Sequence, residues 1–365
     1  MTHTRQYSHA TGGILYLKAT GARRAAQPRA VAPVFSRAVP TKDLLEKRLI
    51  FVTGKGGVGK STIAVALGLL AARRGLRTIV AELAAQERVQ RAFEHEAEHF
   101  REVQLAPGLF TISIDPEHAM EEYLRVKGGA VGQALGSTRL FHAFAMATPG
   151  MRELLSIGKV WELAQLERRT RGAAPYDLVI VDAPATGHGV GILRTPRTFA
   201  DIAMVGPIAH QARNIATTIA DRSFTGVIAV STAEEMPVNE TLLLSDALAR
   251  ERLELDAVVV NALYPRRFGD AEVEDLRAAL DRQGPPVTRG AVRAALSEHA
   301  RAMTQRGQTE RLRAGISCAL IELPFVFADE ITRQELDVLA DLLGSAEVHE
   351  EAGTSANRSV TGITP

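Results

Sequence analysis

The sequence has a single cysteine among 365 residues, Cys318, so it can form neither an intramolecular disulfide nor a metal site made only of cysteines. Cys318 lies in an apolar run that enters residues 319–323, and we expect it to be a buried packing residue. Aromatic residues account for only 5% of the chain, and the formal net charge is +1. Neither base stacking nor electrostatic attraction therefore argues for binding to nucleic acid.

Long apolar runs are also missing from the sequence. The runs at 227–230 and 257–260 have the length of strands, well short of the roughly 20 residues that a membrane-spanning helix needs. The N-terminal region has no secretory apolar segment. We therefore expect a cytoplasmic protein that is not an integral membrane protein and is long enough for one large α/β domain with an insertion.

A glycine-rich segment between a strand and a helix is the most informative motif. An apolar run at 49–52 predicts the strand, and the apolar spacing of 62–74 predicts the helix. The segment fits the phosphate-loop pattern G-x-x-x-x-G-K-[ST]. Its residues are Gly54, Lys55, Gly56, Gly57, Val58, Gly59, Lys60, Ser61 and Thr62. Because glycines allow a sharp turn and a helix N-terminus favours anions, the motif predicts binding of a nucleoside triphosphate.

The expected phosphate contacts and magnesium ligands come from this loop and from a second strand. Lys60 should contact the β- and γ-phosphates of ATP, and the Ser61 hydroxyl should ligate Mg²⁺. The apolar segment 176–181 ends in Asp182, a position at which an acid would hold the hydration shell of Mg²⁺. ATP and Mg²⁺ are thus the expected cofactors.

The two motifs together resemble the ArsA and tail-anchored-protein-targeting ATPases, within the MinD-like phosphate-loop NTPases. The loop reads G-K-G-G-V-G-K, a deviant Walker A form with an early lysine, Lys55. The segment after Asp182, A-P-A-T-G-H, is similar to the family's switch II, D-T-A-P-T-G-H, with Thr186, Gly187 and His188 matching. The resemblance implies that Lys55 reaches across a homodimer interface to the partner's nucleotide. It also implies that Gly187 flexes to report the γ-phosphate.

Weaker matches to the family continue in the expected order along most of the remaining chain. Segments 112–123 and 232–241 resemble the entry into its helical subdomain and its next strand end and helix start. Asn261 ends a buried strand, and the resemblance implies that it contacts the adenine edge. Pro324 and Phe325 resemble the late loop that closes over the base.

One departure from the family bears on hydrolysis. The family's strand after the first helix ends in S-T-D-P, where the Asp positions the attacking water, and alignment places Ala84 there. Alanine cannot polarise water. Glu82 lies two residues earlier on the same side of the strand, and Glu87 follows in the loop. We expect Glu82 to take over this role; Glu87 is the alternative, and Glu82 could also be an ordinary acid at a strand end.

Alternating strand-like and helical segments predict an α/β phosphate-loop NTPase fold, with a mostly parallel twisted sheet flanked by helices. Only helical patterns occupy 117–171, which predicts an α-helical subdomain inserted in an ATPase domain spanning 47–344. In the family this subdomain faces a partner or cargo, although its methionine and aromatic positions also fit an ordinary core. A second helical stretch, 270–313, is broken by a Gly-Pro-Pro sequence.

The two ends differ from the rest in composition. Residues 1–42 contain seven Lys or Arg and no acid, so 1–46 is predicted to be a disordered basic tail. An organelle transit peptide, an over-extended start and a weak contact with an anionic surface are the alternatives. Residues 345–365 are polar and predict a flexible C-terminal tail.

These observations favour an ArsA-like ATPase that binds and hydrolyses Mg-ATP as a homodimer. Its nucleotide state would act on an unidentified protein or anion cargo through the helical subdomain. One cysteine can form neither the three-coordinate arsenite site of ArsA nor the C-x-x-C zinc clasp of the eukaryotic targeting factors. The cargo of neither group can therefore be assigned to this protein. The alternatives are a nucleotide-gated binding scaffold with little turnover and a MinD/ParA-like positioning ATPase. The last is disfavoured because 345–365 lack an apolar membrane-binding face.

Overall fold

The computed structural model describes residues 44–83, 88–95, 98–127, 148–168, 172–184, 186–202, 207–282 and 284–358, and the structural statements below concern these residues. The expected basic tail, apart from 44–46, lies outside them, as do Ala84, Glu87 and residues 359–365.

In this part of the chain eight strands form one sheet, in the order β3-β4-β2-β5-β1-β6-β7-β8. The β3–β4 pair is antiparallel and the other neighbours are parallel, which confirms the mostly parallel sheet predicted from the sequence. The strands are β1 (Leu49–Gly54), β2 (Thr78–Leu83), β3 (Val103–Ala106), β4 (Leu109–Ile114), β5 (Leu178–Asp182), β6 (Thr225–Thr232), β7 (Ala257–Leu263) and β8 (Ala319–Pro324).

Helices connect most of these strands and cover both faces of the sheet. The helices are α1 (Lys60–Arg73), α2 (Arg88–Ala92), α3 (Pro116–Lys127), α4 (Met151–Leu163), α5 (Thr186–Ile202), α6 (Pro207–Ala220), α7 (Glu235–Arg250), α8 (Asp270–Asp281), α9 (Pro286–Gly315) and α10 (Arg333–Arg358). The second helical stretch is thus the α8–α9 pair, interrupted where the sequence carries its Gly-Pro-Pro break.

Strands β1, β2 and β5 are buried along their whole length, because helices pack against both of their faces. Successive side chains point to opposite faces of the sheet. On one face Ile50, Val80 and Ile180 join a core that includes α1. On the other, Phe51 and Val181 join a core that includes α4, α5 and α6. Full burial of each such side chain contributes about 1.5–3 kcal/mol.

Helix α1, which follows the glycine-rich loop, is buried continuously over Ile63–Ala71. It has no exposed stripe there because the sheet lies on one side and α10 packs on the other, through Leu336, Leu339, Ala340 and Leu343. At its end, Arg73 forms ion pairs of 2.7 Å with Asp337 and 2.5 Å with Asp341 of α10. The domain boundary expected at residue 344 falls within α10, and the domain limits stay predictions.

Two helices of the expected helical insertion, α3 and α4, lie on the face of the sheet opposite α1. Helix α4 packs against α5, α6 and β5. In this contact the Trp161 indole N–H donates to Thr218 Oγ1 at 2.9 Å, so Trp161 serves as a packing residue. Residues 128–147 of the insertion, with Met146, lie outside the described residues. None of the described helices is both long enough and apolar enough to cross a membrane.

A buried network of charged side chains ties α3 and α4 to the edge of the sheet. Lys159 Nζ lies 2.9 Å from Glu122 Oε2 and 3.0 Å from Glu162 Oε2. Arg168 lies 3.1 Å from Glu162 and 2.5 Å from Glu102. The side chains of Arg168 and Glu162 are each 1% exposed, so these charges depend on one another for compensation.

Candidate functional site

The carboxyl ends of β1, β2 and β5 meet at one edge of the sheet, where the predicted site residues converge. In the pairing register Val52 of β1 faces Asp182 of β5, and Glu82 of β2 faces Asp182 from the other side. Partners in a parallel register point to the same face, and here that face carries α1. The glycine-rich loop, Glu82 and Asp182 therefore share one corner of the fold. Ligands of open α/β sheets bind at this edge.

Two glycines of the loop are required by close contacts with neighbouring strands. Gly54 has φ +146°, and a Cβ added there would lie 2.2 Å from the Val230 carbonyl oxygen of β6. Gly59 has φ +96°, and its added Cβ would lie 2.4 Å from Asn261 Nδ2 of β7. Larger residues at either position would push the loop away from β6 and β7. The loop therefore has its compact form because both residues lack side chains.

Ser61 and Asp182, the expected magnesium ligands, are in direct contact. The Ser61 hydroxyl donates to Asp182 Oδ2 at 2.5 Å, and Asp182 is only 9% exposed. A hydroxyl at the start of α1 and a carboxylate at the end of β5 fit Mg²⁺, which prefers oxygen ligands and takes few from the protein when nucleotide phosphates supply others. Among the described residues no group of three or more His, Cys, Asp or Glu could hold a metal by itself.

The two lysines of the loop have different environments. Lys60 Nζ donates to the Lys55 carbonyl oxygen at 2.9 Å, so its side chain folds back over the loop. Lys55 Nζ instead points to α7, where it lies 2.9 Å from Glu240 Oε1. Both members of this ion pair have side chains about 30% exposed. The sequence alone identified Lys55 as a cation near the triphosphate, and the structure identifies the acid that holds it.

Glu82 is 3% exposed, an unusual degree of burial for a carboxylate. Its Oε1 accepts a hydrogen bond of 3.3 Å from the Val89 backbone N–H of α2. It stands beside Asp182 in the sheet, on the side of the phosphate loop. Glu82 is thus a buried acid next to the expected magnesium ligand, and its role in orienting a water molecule stays a prediction.

Asn261 lies against the phosphate loop. Its Nδ2 donates to the Val58 carbonyl oxygen at 3.0 Å, and Val58 itself is 3% exposed. The contact with adenine inferred for Asn261 stays a prediction. The structure adds that this side chain also holds the loop.

Pro324 is the last residue of β8 and is exposed. Phe325 follows it, and its backbone N–H donates to the Leu263 carbonyl oxygen at 2.8 Å. The Phe325 ring stacks on Tyr264, with centroids 5.0 Å apart and planes 13° from parallel. Arg301 of α9 donates to the Tyr264 hydroxyl at 2.9 Å. The base contacts inferred for Pro324 and Phe325 stay predictions.

Gly187 lies in the first turn of α5, which begins at Thr186 just beyond β5. The matched segment Thr186–His188 thus connects the Asp182 strand to a helix that packs against α4 and α6. The flexing inferred for Gly187 stays a prediction.

Two cavities are lined by neighbours of Asn261, one by Gly59 and the other by Ala262. One, of about 290 Å³, lies over the loop between α1 and α10 and is lined by Gly57, Gly59, Lys60, Ser61, Thr62 and Leu336, among others. The second, of about 480 Å³, is lined by residues at the ends of β6, β7 and β8 and on α9. One side of the first cavity is formed by the loop and the N-terminus of α1, where a phosphate would bind, and the other side by apolar side chains that include Val65, Val89 and Leu336.

Sequence reasoning did not find the partners of several site residues. In the sequence Glu240 is one residue of a segment similar to the family, and Tyr264 and Gln305 belong to no motif. No local pattern marks them, because each acts through a contact with a distant part of the chain. For Gln305 a signal exists: Ala302, Gln305, Thr309 and Leu312 are buried on one face of α9 at helical spacing.

Comparison with known proteins identifies the family of this chain. The profile of the ArsA ATPase family, described as an anion-transporting ATPase, matches residues 47–205 and 201–283. ATPase BagA of Mycobacterium tuberculosis is 29% identical over 300 residues, which cover 76% of this chain and 87% of that protein. ATPase GET3 of Pyricularia oryzae is 24% identical over 280 residues, covering 65% of this chain and 79% of that protein.

A putative arsenical pump-driving ATPase of Halobacterium salinarum is 28% identical over 253 residues, covering 64% of this chain but only 38% of that protein. All three relatives are named as ATPases, which agrees with the use of a nucleotide. The family profile covers more than half of the chain and includes the phosphate loop, Glu82 and Asp182. The chain therefore belongs to the ArsA ATPase family of phosphate-loop NTPases.

Proposed function

We propose that this protein binds and hydrolyses Mg-ATP as a homodimer and that its nucleotide state acts on a protein or anion cargo. The observation that carries the proposal is the 2.5 Å contact between the Ser61 hydroxyl and the Asp182 carboxylate at the end of the phosphate loop. These two side chains lie 121 positions apart in the sequence. A shared magnesium site gives a chemical reason for that pairing.

Each residue of the site has its own role in the proposed hydrolysis of ATP. The loop amides and Lys60 would bind the β- and γ-phosphates, and Ser61 and Asp182 would hold Mg²⁺ and its waters. A magnesium ion held there would neutralise charge on the phosphate oxygens. Glu82 orients a water molecule and accepts a proton from it, while the water oxygen bonds to the γ-phosphorus and the bond from that phosphorus to the β–γ bridging oxygen breaks. The products are ADP and phosphate. Lys55 of the partner subunit adds positive charge at the γ-phosphate.

Calorimetry tests the binding step. We expect wild-type protein to bind ATP at least about tenfold more tightly with Mg²⁺ than with EDTA, and Ser61→Ala to lose most of that difference. Ser223→Ala is a matched control, because Ser223 Oγ also donates to a carboxylate, Asp221, at 2.6 Å but lies away from the loop. The binding proposal is wrong if wild-type affinity for adenine nucleotides does not depend on Mg²⁺.

The cargo proposal rests on how α5 connects the site to the helical layer. Helix α5 begins just beyond Asp182 and packs against α4. Between α3, α4 and α6 lies a cavity of about 100 Å³, lined mainly by apolar side chains, with Lys159 and Glu122 also in its wall. A nucleotide-dependent shift of α5 would change the shape of this cavity.

Hydrogen exchange tests this coupling without knowledge of the cargo. We expect amides of Pro116–Lys127 and Met151–Leu163 to exchange at different rates with Mg-ATP and with Mg-ADP. Amides of α8, which lies away from this layer, serve as an internal comparison. Equal exchange rates of α3 and α4 in the two nucleotide states would reject the coupling and leave the binding proposal intact.

The second candidate function is a nucleotide-gated scaffold that holds ATP with little turnover. It is favoured by Ala84, which stands where the family has its water-positioning Asp. Single-turnover hydrolysis separates the two candidates. An enzyme converts bound ATP to ADP within the assay, whereas a scaffold retains ATP.

A further inference from the structure

Strand β7 contains a strained bulge beside the phosphate loop. Its pairing with β8 changes register between Val260 and Leu263. Within this bulge Ala262 has φ +61°, a left-handed conformation that is unfavourable for residues with a Cβ. Such a conformation persists only where the surrounding structure holds it in place.

Gln305 of α9 holds both sides of the bulge. Its Nε2 donates to the Ala262 carbonyl oxygen at 3.1 Å, and its Oε1 accepts from the Tyr264 backbone N–H at 2.7 Å. Gln305 is 6% exposed. The Gln305 amide is buried and bonds to two backbone groups, of Ala262 and Tyr264, that are two residues apart. It thereby replaces hydrogen bonds that β7 does not make to β8 at the bulge.

The bulge in turn fixes the position of Asn261, the residue before Ala262. Asn261 Nδ2 donates to the Val58 carbonyl oxygen at 3.0 Å. It also approaches Gly59 so closely that an added Cβ would lie 2.4 Å from it. The phosphate loop therefore packs directly against a side chain whose backbone is set by the bulge.

We propose that Gln305 is a positioning residue for the phosphate loop, acting through Ala262 and Asn261. By holding Ala262 in its left-handed conformation, Gln305 keeps the Asn261 amide against Val58 and so keeps the loop in its phosphate-binding form. The inference rests on the proposed nucleotide site, and it adds a link from α9 to that site. Helix α9 has 30 residues, and its first half, 286–300, has no buried residue, so this link joins an exposed helix to the loop.

Titration with Mg-ATP tests the role of Gln305. We expect Gln305→Ala to bind Mg-ATP about tenfold more weakly, because Ala262 relaxes and Asn261 moves off the loop. Gln308→Ala is the matched control, since Gln308 lies one turn along α9 and contacts only Arg311, at 3.4 Å, among the described hydrogen bonds. The control should bind within twofold of wild type. Circular dichroism and urea midpoints show which variants are folded.

A double variant separates positioning from general damage to the fold. Glycine adopts the left-handed conformation without the cost of a Cβ, so Ala262→Gly combined with Gln305→Ala should recover most of the lost affinity. Loss of packing around Gln305 would not be repaired by this change. If Gln305→Ala does not fold, Gln305→Glu replaces it, because the carboxylate still accepts from Tyr264 but cannot donate to Ala262. We then expect Gln305→Glu to bind Mg-ATP about threefold more weakly than wild type.

Three results would overturn the inference. The first is that Gln305→Ala, or Gln305→Glu where it is used, binds Mg-ATP within twofold of wild type. The second is that the double variant binds as weakly as Gln305→Ala. The third is that Gln308→Ala weakens binding as much as Gln305→Ala does. Failure of the proposed function is distinguished from these, because wild-type protein would then show no Mg-dependent binding of ATP in the same titration.

Discussion

Lys55 and Glu240 form an ion pair of 2.9 Å that joins the phosphate loop to α7. Because both side chains are about 30% exposed, the pair contributes at most about 1 kcal/mol, so Lys55 can leave it at little cost. A lysine held this weakly is available to a second subunit. Within a single chain, Glu240 is therefore the acid that binds the Lys55 side chain.

The first prediction concerns that lysine. Lys55→Ala should leave the affinity for ATP largely intact and abolish nucleotide-dependent dimerisation, because in the proposed homodimer the cation acts on the partner's nucleotide. Glu240→Gln should dimerise at the same concentration or at a concentration up to about fivefold lower, since it removes a competing intramolecular contact. Static light scattering with Mg-ATP measures both. Unchanged dimer formation by Lys55→Ala would contradict the cross-subunit role.

The second prediction concerns Glu82. Glu82→Gln preserves the shape of the side chain but removes its basicity, so it should bind Mg-ATP and slow the hydrolytic step by roughly 10²–10⁴-fold. Rapid-quench single-turnover experiments measure this step. Glu87→Gln provides the comparison, because it changes the other acid that the sequence offers. Slow hydrolysis by Glu87→Gln and normal hydrolysis by Glu82→Gln would move the role to Glu87.

The third prediction concerns the buried charge network. Arg168→Ala should lower the free energy of unfolding by about 3–5 kcal/mol, because it leaves Glu162 with a buried charge compensated by Lys159 alone. Arg222→Ala removes an ion pair of 2.7 Å with Glu254 whose side chains are 63% and 61% exposed, so its effect should stay below about 1 kcal/mol. Urea denaturation compares the two variants, and equal losses of stability would show that burial does not matter here.

The fourth prediction concerns Cys318, the only thiol of the chain. Burial, with a smaller contribution from the Asp256 carboxylate, raises the pKa of the Cys318 thiol to about 11. The reactive thiolate is therefore scarce at pH 8, and alkylation of the folded protein should be about a hundredfold slower than in urea. The rate should rise with pH up to about 11. Mass spectrometry of iodoacetamide-treated samples measures it, and similar rates in folded and unfolded protein would refute the expectation.

The sequence predicts the phosphate loop and its flanking strand and helix because that signal is local. A buried strand, a loop with four glycines and an apolar helix follow one another within about 25 residues, so no distant contact is needed to recognise them. Asp182 was found for the same reason, as a carboxylate at the end of an apolar strand. The fold class follows from repeating that alternation along the chain.

The contacts that shape the site are not local, and the sequence did not predict them. Asn261 meets Val58 across 203 positions, and Gln305 meets Ala262 across 43. The bulge that places them depends on Ala262 in a left-handed conformation, which residue preferences alone disfavour. Tertiary structure overrides local preference at this point, as is common at functional sites.

The central position of β1 in the sheet determines when the phosphate loop can fold during synthesis. Leu49 at the start of β1 pairs with Val179 of β5 on one side and with Thr225 of β6 on the other. The strand that leads into the phosphate loop can therefore pair on both sides only after more than half of the chain has left the ribosome. Nascent chains shorter than this will fail to retain ATP, however early the glycine-rich segment emerges.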